Sequence, residues 1–264
     1  MTPERTGEVA TAFAHYVDIK SPFTLGHSTG VSRVAEAAAR QAGFSDTERE
    51  SLRLAALLHD VGRVSVPNGI WDKPGPLNAA EWERVRLHPY YTERILNRSP
   101  LLAPLVEVAA NHHERVDGSG YYRGIAGATM SRPARILAAS DAYHAMTEER
   151  PHRKARSEDE AARLLSAEAQ AGHLDREAVE CVLAGAGQRG TARLRGELPA
   201  ALTEREGEVL CLIARGLSNK AVAEALVISP RTVQHHLEHI YDKTGIRTRS
   251  AAAVFAVVND LVDK

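Results

Sequence analysis

The chain has 264 residues, 44% hydrophobic and 25% charged, with 33 basic against 34 acidic side chains and a net charge of −1. That length and composition describe one large or two modest globular domains and exclude a disordered chain. The near-zero charge excludes nucleic-acid or membrane-surface binding driven by bulk electrostatics, so any such function must come from local arrangement.

Helix-start signals recur along the sequence: Thr2-Pro3-Glu4, Ser45 with Glu48, Asn78 with Glu81, Ser131 with Pro133, Ser157 with Glu160, Thr203 with Glu206, and Ser229-Pro230. Between them apolar residues fall at three- and four-residue spacing, as at Leu52, Ala55, Ala56 and Leu58, and no alternating strand pattern intervenes. The expected fold is all-α. Cys181 and Cys211 are too few for a disulfide framework and read as buried thiols of a reducing cytoplasm. No apolar run approaches the ~18 residues of a membrane span. Met1 to Arg5 does not read as a signal peptide, so no membrane partner is expected. The glycine- and arginine-containing stretch 185–199 predicts a linker, which divides the chain into domains at 1–184 and 200–264.

Twelve histidines are a high count, and nine of them precede that linker. His59-Asp60 follows the apolar run Leu52 to Leu58. His88-Pro89 falls in the helix expected from Asn78, His112-His113-Glu114 closes another helix, and Asp141 lies in a further apolar stretch. A single buried histidine is usually a satisfied core residue. Adjacent pairs at the ends of apolar helices are different, because burying them costs free energy unless each group finds a partner. Metal ions supply such partners, and since helix neighbours do not share a face, an adjacent pair addresses two ions or bridges them. Imidazoles mixed with carboxylates suit Fe, Mn, Zn or Ni better than Mg or Ca.

The blocks HDVGR from His59, HPYYTERIL from His88, HHERVDGSGYY from His112 and SDAYHAMTEERPHR from Ser140 resemble the HD-GYP domain, a group of HD-superfamily phosphohydrolases associated with cyclic di-GMP. The resemblance runs from about Phe23 to Ala155. It implies a helical bundle in which His59, Asp60, His88, His112, His113 and Asp141 hold two divalent transition-metal ions, with Asp60 bridging. It also puts His27 where some members place a ligand to a third ion. The implied chemistry is hydrolysis of a cyclic dinucleotide or another phosphorylated nucleotide. Asp60 and Arg63 would then be catalytic, and Arg63, Arg150 and Arg153 would hold substrate phosphate. Four departures are visible: Arg63 replaces a lysine, Thr92 a glycine, and Tyr122 the proline of GYP, while Phe23 stands where trinuclear members carry glutamate. The last argues for two ions. Thr92 and Tyr122 are expected to border the pocket and narrow it. A non-catalytic metal-nucleotide sensor remains the alternative to an enzyme.

Beyond the linker, Thr203 with Glu206 opens one helix, Gly216 ends it, Ser218 and Asn219 cap a short second, and Ser229-Pro230 starts a third. This is helix-turn-helix geometry, with the helix from Pro230 in the major groove of double-stranded DNA. Candidate contacts are Lys220, Arg231, Thr232, Gln234, His235, Lys243, Arg247 and Arg249. From Ser218 to Arg249 five basic residues stand against three acidic ones, so one copy would bind weakly and a homodimer on paired half-sites is expected. The pattern LTxRExEVLxLIAxGLSNKxxAxxLxISxxTVxxHxxxIxxKxGxxxR resembles the LuxR-type DNA-binding domain. It implies a four-helix module with Lys220, Thr232, Val233 and Lys243 at or near DNA and a last helix, Ala251 to about Val262, that supports dimerisation. His236 reads either as a packing residue or as a phosphate contact. The whole chain is expected to be a transcriptional regulator whose metal-nucleotide domain governs DNA binding.

Overall fold

The computed structural model describes residues 3–151, 153–188, 200, 202–259 and 261. The chain divides into two compact units, Met1–Leu194 and Arg195–Lys264, and each is described by itself. Residues 189–199 of the expected linker lie outside the described residues. Its first residue, Gly185, ends a helix instead, and a Cβ there would stand 2.8 Å from the backbone of Ala37. The following turn closes back through Gln188 N–H donating to Leu183 O, so the helical unit extends past 184.

The first unit runs α1 (Pro3–Asp18), α2 (His27–Gln41), α3 (Asp46–Leu58), α4 (Asn68–Trp71), α5 (Ala79–Arg86), α6 (His88–Leu96), α7 (Val106–Ala110), α8 (Arg132–Thr147), α9 (Glu158–Gln170) and α10 (Arg176–Gly185). Among the described residues no strand occurs, only an isolated bridge between Arg150 and Arg153. Thr2 of the first expected start lies outside the described residues, and the other four starts of this unit are present as hydrogen-bonded caps. Ser45 with Glu48 and Asn78 with Glu81 form reciprocal capping boxes, and Ser131 and Ser157 each cap one helix. Where one helix was expected from Asn78 through His88, two meet at Leu87, because Pro89 can donate no N–H and is tolerated only in the first turn of a helix.

Two large apolar clusters and a small third one of Val66, Ile70 and Val85 hold the unit together among the described residues. Alanines 35, 38 and 39 of α2 and 161 and 162 of α9 let those helices approach α3, α8 and α10 closely around Leu52, Leu137, Leu165 and Leu183. Ala10, Ala14 and Val17 of α1 pack with Leu57, Leu58 and Leu96. Between these clusters the ends of α3, α5, α7 and the middle of α8 converge with polar side chains.

The second unit comprises α11 (Glu204–Ala214), α12 (Asn219–Leu226), α13 (Pro230–Thr244) and α14 (Arg249–Val258) around Val209, Leu210, Val222, Val233, Leu237, Ile240, Ala252 and Ala256. Thr203 with Glu206, Ser218 and Ser229 cap the first three of these helices at the expected positions. The last helix ends at Val258, short of the expected Val262, and 262–264 lie outside the described residues.

Candidate metal centre

Three imidazoles reach the centre by the same local device. His59 caps the end of α3, His88 follows the last turn of α5, and His112 follows that of α7. Each donates Nδ1–H to the carbonyl three residues back: His59 to Ala56 at 2.7 Å, His88 to Val85 at 2.6 Å and His112 to Ala109 at 2.7 Å. Each bond satisfies an orphan carbonyl of the helix end. It also fixes the tautomer, leaving Nε2 as an acceptor aimed inward.

Asp60, 4% exposed, stands at the middle. Its Oδ1 lies 3.3 Å from His88 Nε2 and 3.6 Å from His112 Nε2, while Oδ2 lies 3.6 Å from His59 Nε2, 3.7 Å from His27 Nε2 and 3.0 Å from Arg63. Asp141 of α8 adds Oδ1 at 3.2 Å from His27 and 3.8 Å from His59, and Oδ2 at 3.7 Å from His113. All six ligands implied by the resemblance therefore gather at one place, and His27 joins them. The donors fall into two sets, His27, His59 and Asp141 on one side and His88, His112 and His113 on the other. Asp60 turns one oxygen to each.

This constellation fits metal ions. His59 Nε2 is buried with no hydrogen-bond partner, a costly state for a polar nitrogen in the interior. His88 Nε2 and His112 Nε2 face each other at 3.1 Å while both Nδ1–H groups are spent on carbonyls. In the neutral tautomer two lone pairs then oppose each other, unless a cation lies on both. The separation suits two nitrogens each about 2.1 Å from one ion.

Protonation follows burial and partners. Burial holds His59 down to about 4 and keeps His88 and His113 below the ordinary histidine range. At His27 burial acts in the same direction, but hydrogen bonds to Asp141 and Glu148 outweigh it and push it up to about 9. Asp60 stays ionised against its burial because Arg63 and the surrounding imidazoles hold it well below the carboxylate range, and Asp141 is held low by His27 and His113.

A cavity of about 700 Å³ adjoins the centre, its wall including Arg63, Trp71, Lys73, Trp82, Arg150 and Arg153. Arg63 belongs to both places, bonded to Asp60 and stacked 4.0 Å over the Trp71 ring. The Tyr121 ring lies against the centre, 4.8 Å from that of His113.

In the second unit α13 presents Arg231, Gln234 and His235 to solvent, and Lys220 and Arg247 are exposed beside it. Thr232 is half-buried, its hydroxyl 2.8 Å from that of Ser229. Val233 is fully buried in the core, so the expectation that it meets DNA is corrected: a fully enclosed side chain has no face to offer. Lys243 Nζ donates to Glu206 Oε2 at 2.7 Å, and Arg249 donates to Asn219 at 2.7 Å and to the carbonyl of Leu217. Both cations hold helices together. His236 is half-buried against the module.

A family profile described as HD domain matches residues 12–178, and one described as bacterial regulatory proteins, luxR family, matches 200–256. The chain belongs to the HD domain family. Its similarity to HD-GYP members is direct: the 3'3'-cGAMP-specific phosphodiesterase 3 of Vibrio cholerae is 45% identical over 157 residues, 60% of this chain and 34% of that protein. The cyclic di-GMP phosphodiesterase response regulator RpfG of Xanthomonas campestris is 33% identical over 188 residues, 70% of this chain and 49% of that protein. The chain thus spans between about a third and a half of these relatives' length. A solved HDG"Y"P protein, Bd1817 of Bdellovibrio bacteriovorus, shares the fold with a TM-score of 0.52 at 18% identity, over 69% of this chain and 63% of that one.

Three expectations about this HD domain change. Thr92 does not border the pocket. It is fully buried, accepting from Gly62 N–H at 3.0 Å and donating to His59 O at 2.8 Å, so it pins the His-Asp turn to α6. Gly62 permits that approach, since a Cβ there would collide with the His88 carbonyl. Tyr122 pairs its hydroxyl with Glu93 and Arg123, away from the ligands, and Tyr121 supplies the ring beside His113 instead. Arg153 gives its donors to the carbonyls of Ala145, Met146 and Lys154, closing the C-terminal end of α8 rather than offering them to a phosphate. The reading of the sequence missed His144 and Glu148. Both stand in the same block as Asp141, one and two helical turns on, which is the signal that could have found them.

Proposed function

We propose that this HD domain is a phosphodiesterase acting on a cyclic dinucleotide with two divalent transition-metal ions, Fe, Mn, Zn or Ni, and that its state governs DNA binding by the LuxR-type module of a homodimer. The observation that carries the reading is Asp60, whose two carboxylate oxygens face separate imidazole sets beside a cavity walled by arginines and tryptophans. The curated relatives' names give the same substrate class, cyclic GMP-AMP or cyclic di-GMP.

One ion would be held by His27, His59 and Asp141, the other by His88, His112 and His113, with Asp60 shared. Bound ions supply Lewis acidity toward a phosphoryl oxygen and lower the pKa of water so that a nucleophile forms at neutral pH. The chain's own groups do the rest. Arg63 and Arg150 turn positive charge into the cavity, where it balances phosphate charge and holds the diester in register. Trp71 and Trp82 give the same cavity flat faces on which a nucleobase stacks. Capped Nδ1 atoms keep three imidazoles from turning away.

The test is hydrolysis of 3'3'-cGAMP and cyclic di-GMP by the full chain loaded with Mn or Fe, beside an Asp60→Ala variant. Turnover of one of them by the wild type and its loss in the variant is expected. Tight binding of the nucleotide without turnover, in wild type as in variant, would replace the enzyme with a metal-nucleotide sensor.

A further inference from the structure

We propose that Glu148 is a positioning residue that holds the His27 imidazole and the Arg150 guanidinium on one carboxylate, joining the metal-facing and phosphate-facing halves of the site into one rigid unit. The inference rests on His27 serving as a metal ligand. Glu148 terminates α8 two helical turns beyond Asp141, at the point where the chain leaves helical geometry. Its Oε2 accepts from His27 Nδ1 at 2.8 Å and from Arg150 at 2.8 Å, and its Oε1 lies 3.3 Å from His144 Nε2. The His27 ring is 1% exposed and turns its other nitrogen to Asp141 at 3.2 Å. Among the histidines of the centre whose Nδ1 carries a hydrogen bond, His27 stands apart in one respect. His59, His88 and His112 lean on backbone carbonyls, whereas His27 leans on a carboxylate. A carboxylate on the outer nitrogen fixes a ligand's orientation and raises its basicity more than a neutral acceptor does.

His144 completes the arrangement. A Cβ at Gly30 would collide with its ring, so the glycine in α2 opens the space in which His144 stacks on His27, with centroids 5.7 Å apart, and reaches Glu148. His27, His144 and Glu148 also lie close enough to share an ion of their own. Arg150 opposes that use. Its guanidinium stands 2.8 Å from Glu148 and 3.4 Å from His27 Nδ1, placing positive charge where a third cation would sit.

The experiment is calorimetric titration of the metal-stripped full chain with Mn alone, for wild type, Glu148→Ala, Glu148→Gln and His144→Ala. Wild type is expected to take two ions in two resolved steps. Glu148→Ala should weaken one step roughly 10- to 100-fold and leave the other in place. Glu148→Gln keeps an acceptor for His27 but loses the carboxylate charge and the Arg150 ion pair, so the same Mn step should weaken less than in Glu148→Ala while KM for the diester rises. His144→Ala should leave both steps near wild type. The proposal is overturned if Glu148→Ala moves neither step, if it weakens both alike together with a fall in melting temperature, or if wild type takes three ions and Glu148→Ala two. Wild type that takes no Mn would instead overturn the metal assignment of the preceding section, a result distinct from the other three.

Discussion

Thr92 turns a departure in the sequence into a structural role. Its hydroxyl is the partner of two backbone groups, Gly62 N–H and His59 O, at a fully buried position. Thr92→Val keeps the shape and removes the hydroxyl, leaving a donor and an acceptor buried without partners, at a cost of about 1 to 3 kcal/mol. The variant should melt several degrees lower in thermal unfolding of the metal-stripped protein, and an unchanged melting temperature would contradict the assignment. Residue types and spacing made the cluster legible as polar groups in need of partners, because His-Asp and His-His at the ends of apolar helices demand them wherever they are buried. They could not reveal the roles of Thr92 and Arg153. The work of those side chains depends on which backbone groups the fold brings to them, and a lone threonine or arginine carries no periodicity to read.

At the scale of elements, capping chemistry carried the most information, since Ser, Thr or Asn with a glutamate three residues on names a helix start by a local bond that tertiary packing does not override. The helix through His88 failed for an equally local reason, Pro89. One cap does more than start a helix. Glu206, 2% exposed at the first turn of α11, receives Lys243 Nζ from the end of α13, and Thr203 N–H donates to it at 2.6 Å. Burial alone would raise its pKa, but those hydrogen bonds outweigh burial and lower it from 4.5. A carboxyl with a depressed folded-state pKa stabilises above its unfolded value and loses that contribution as pH falls through the folded one. The LuxR-type module should therefore lose melting temperature as pH drops below about 4.5. Glu206→Gln should start lower at neutral pH, by about 1 to 3 kcal/mol, and show a flatter acid decline. Parallel curves for the two proteins would refute the assignment.

On the scale of the whole molecule, each unit closes its own core: Leu52, Leu137, Leu165 and Leu183 belong to one, and Leu210, Leu237 and Ile240 to the other. Fragments 1–188 and 200–264 should each unfold cooperatively by calorimetry. If the HD domain governs DNA binding, a cyclic dinucleotide should change the DNA affinity of the full chain by roughly 5- to 150-fold, the usual range of coupling between sites. It should leave that of 200–264 unchanged. An equal effect on both proteins, or none on either, would remove the coupling from the proposed function. Near-zero net charge concealed this division, since it averages a histidine-rich bundle with a module whose exposed cations sit on and around a single helix.

The carbonyl caps of His59, His88 and His112 have a consequence for the order in which this site can come apart. Each ring is a hinge pin shared by a helix end and a ligand position, so a turn of α3, α5 or α7 cannot unwind without swinging its imidazole out of the centre. An ion gripped by any of them therefore clamps a helix against fraying. Removing ions held there would then be coupled thermodynamically to the loosening of those helix ends.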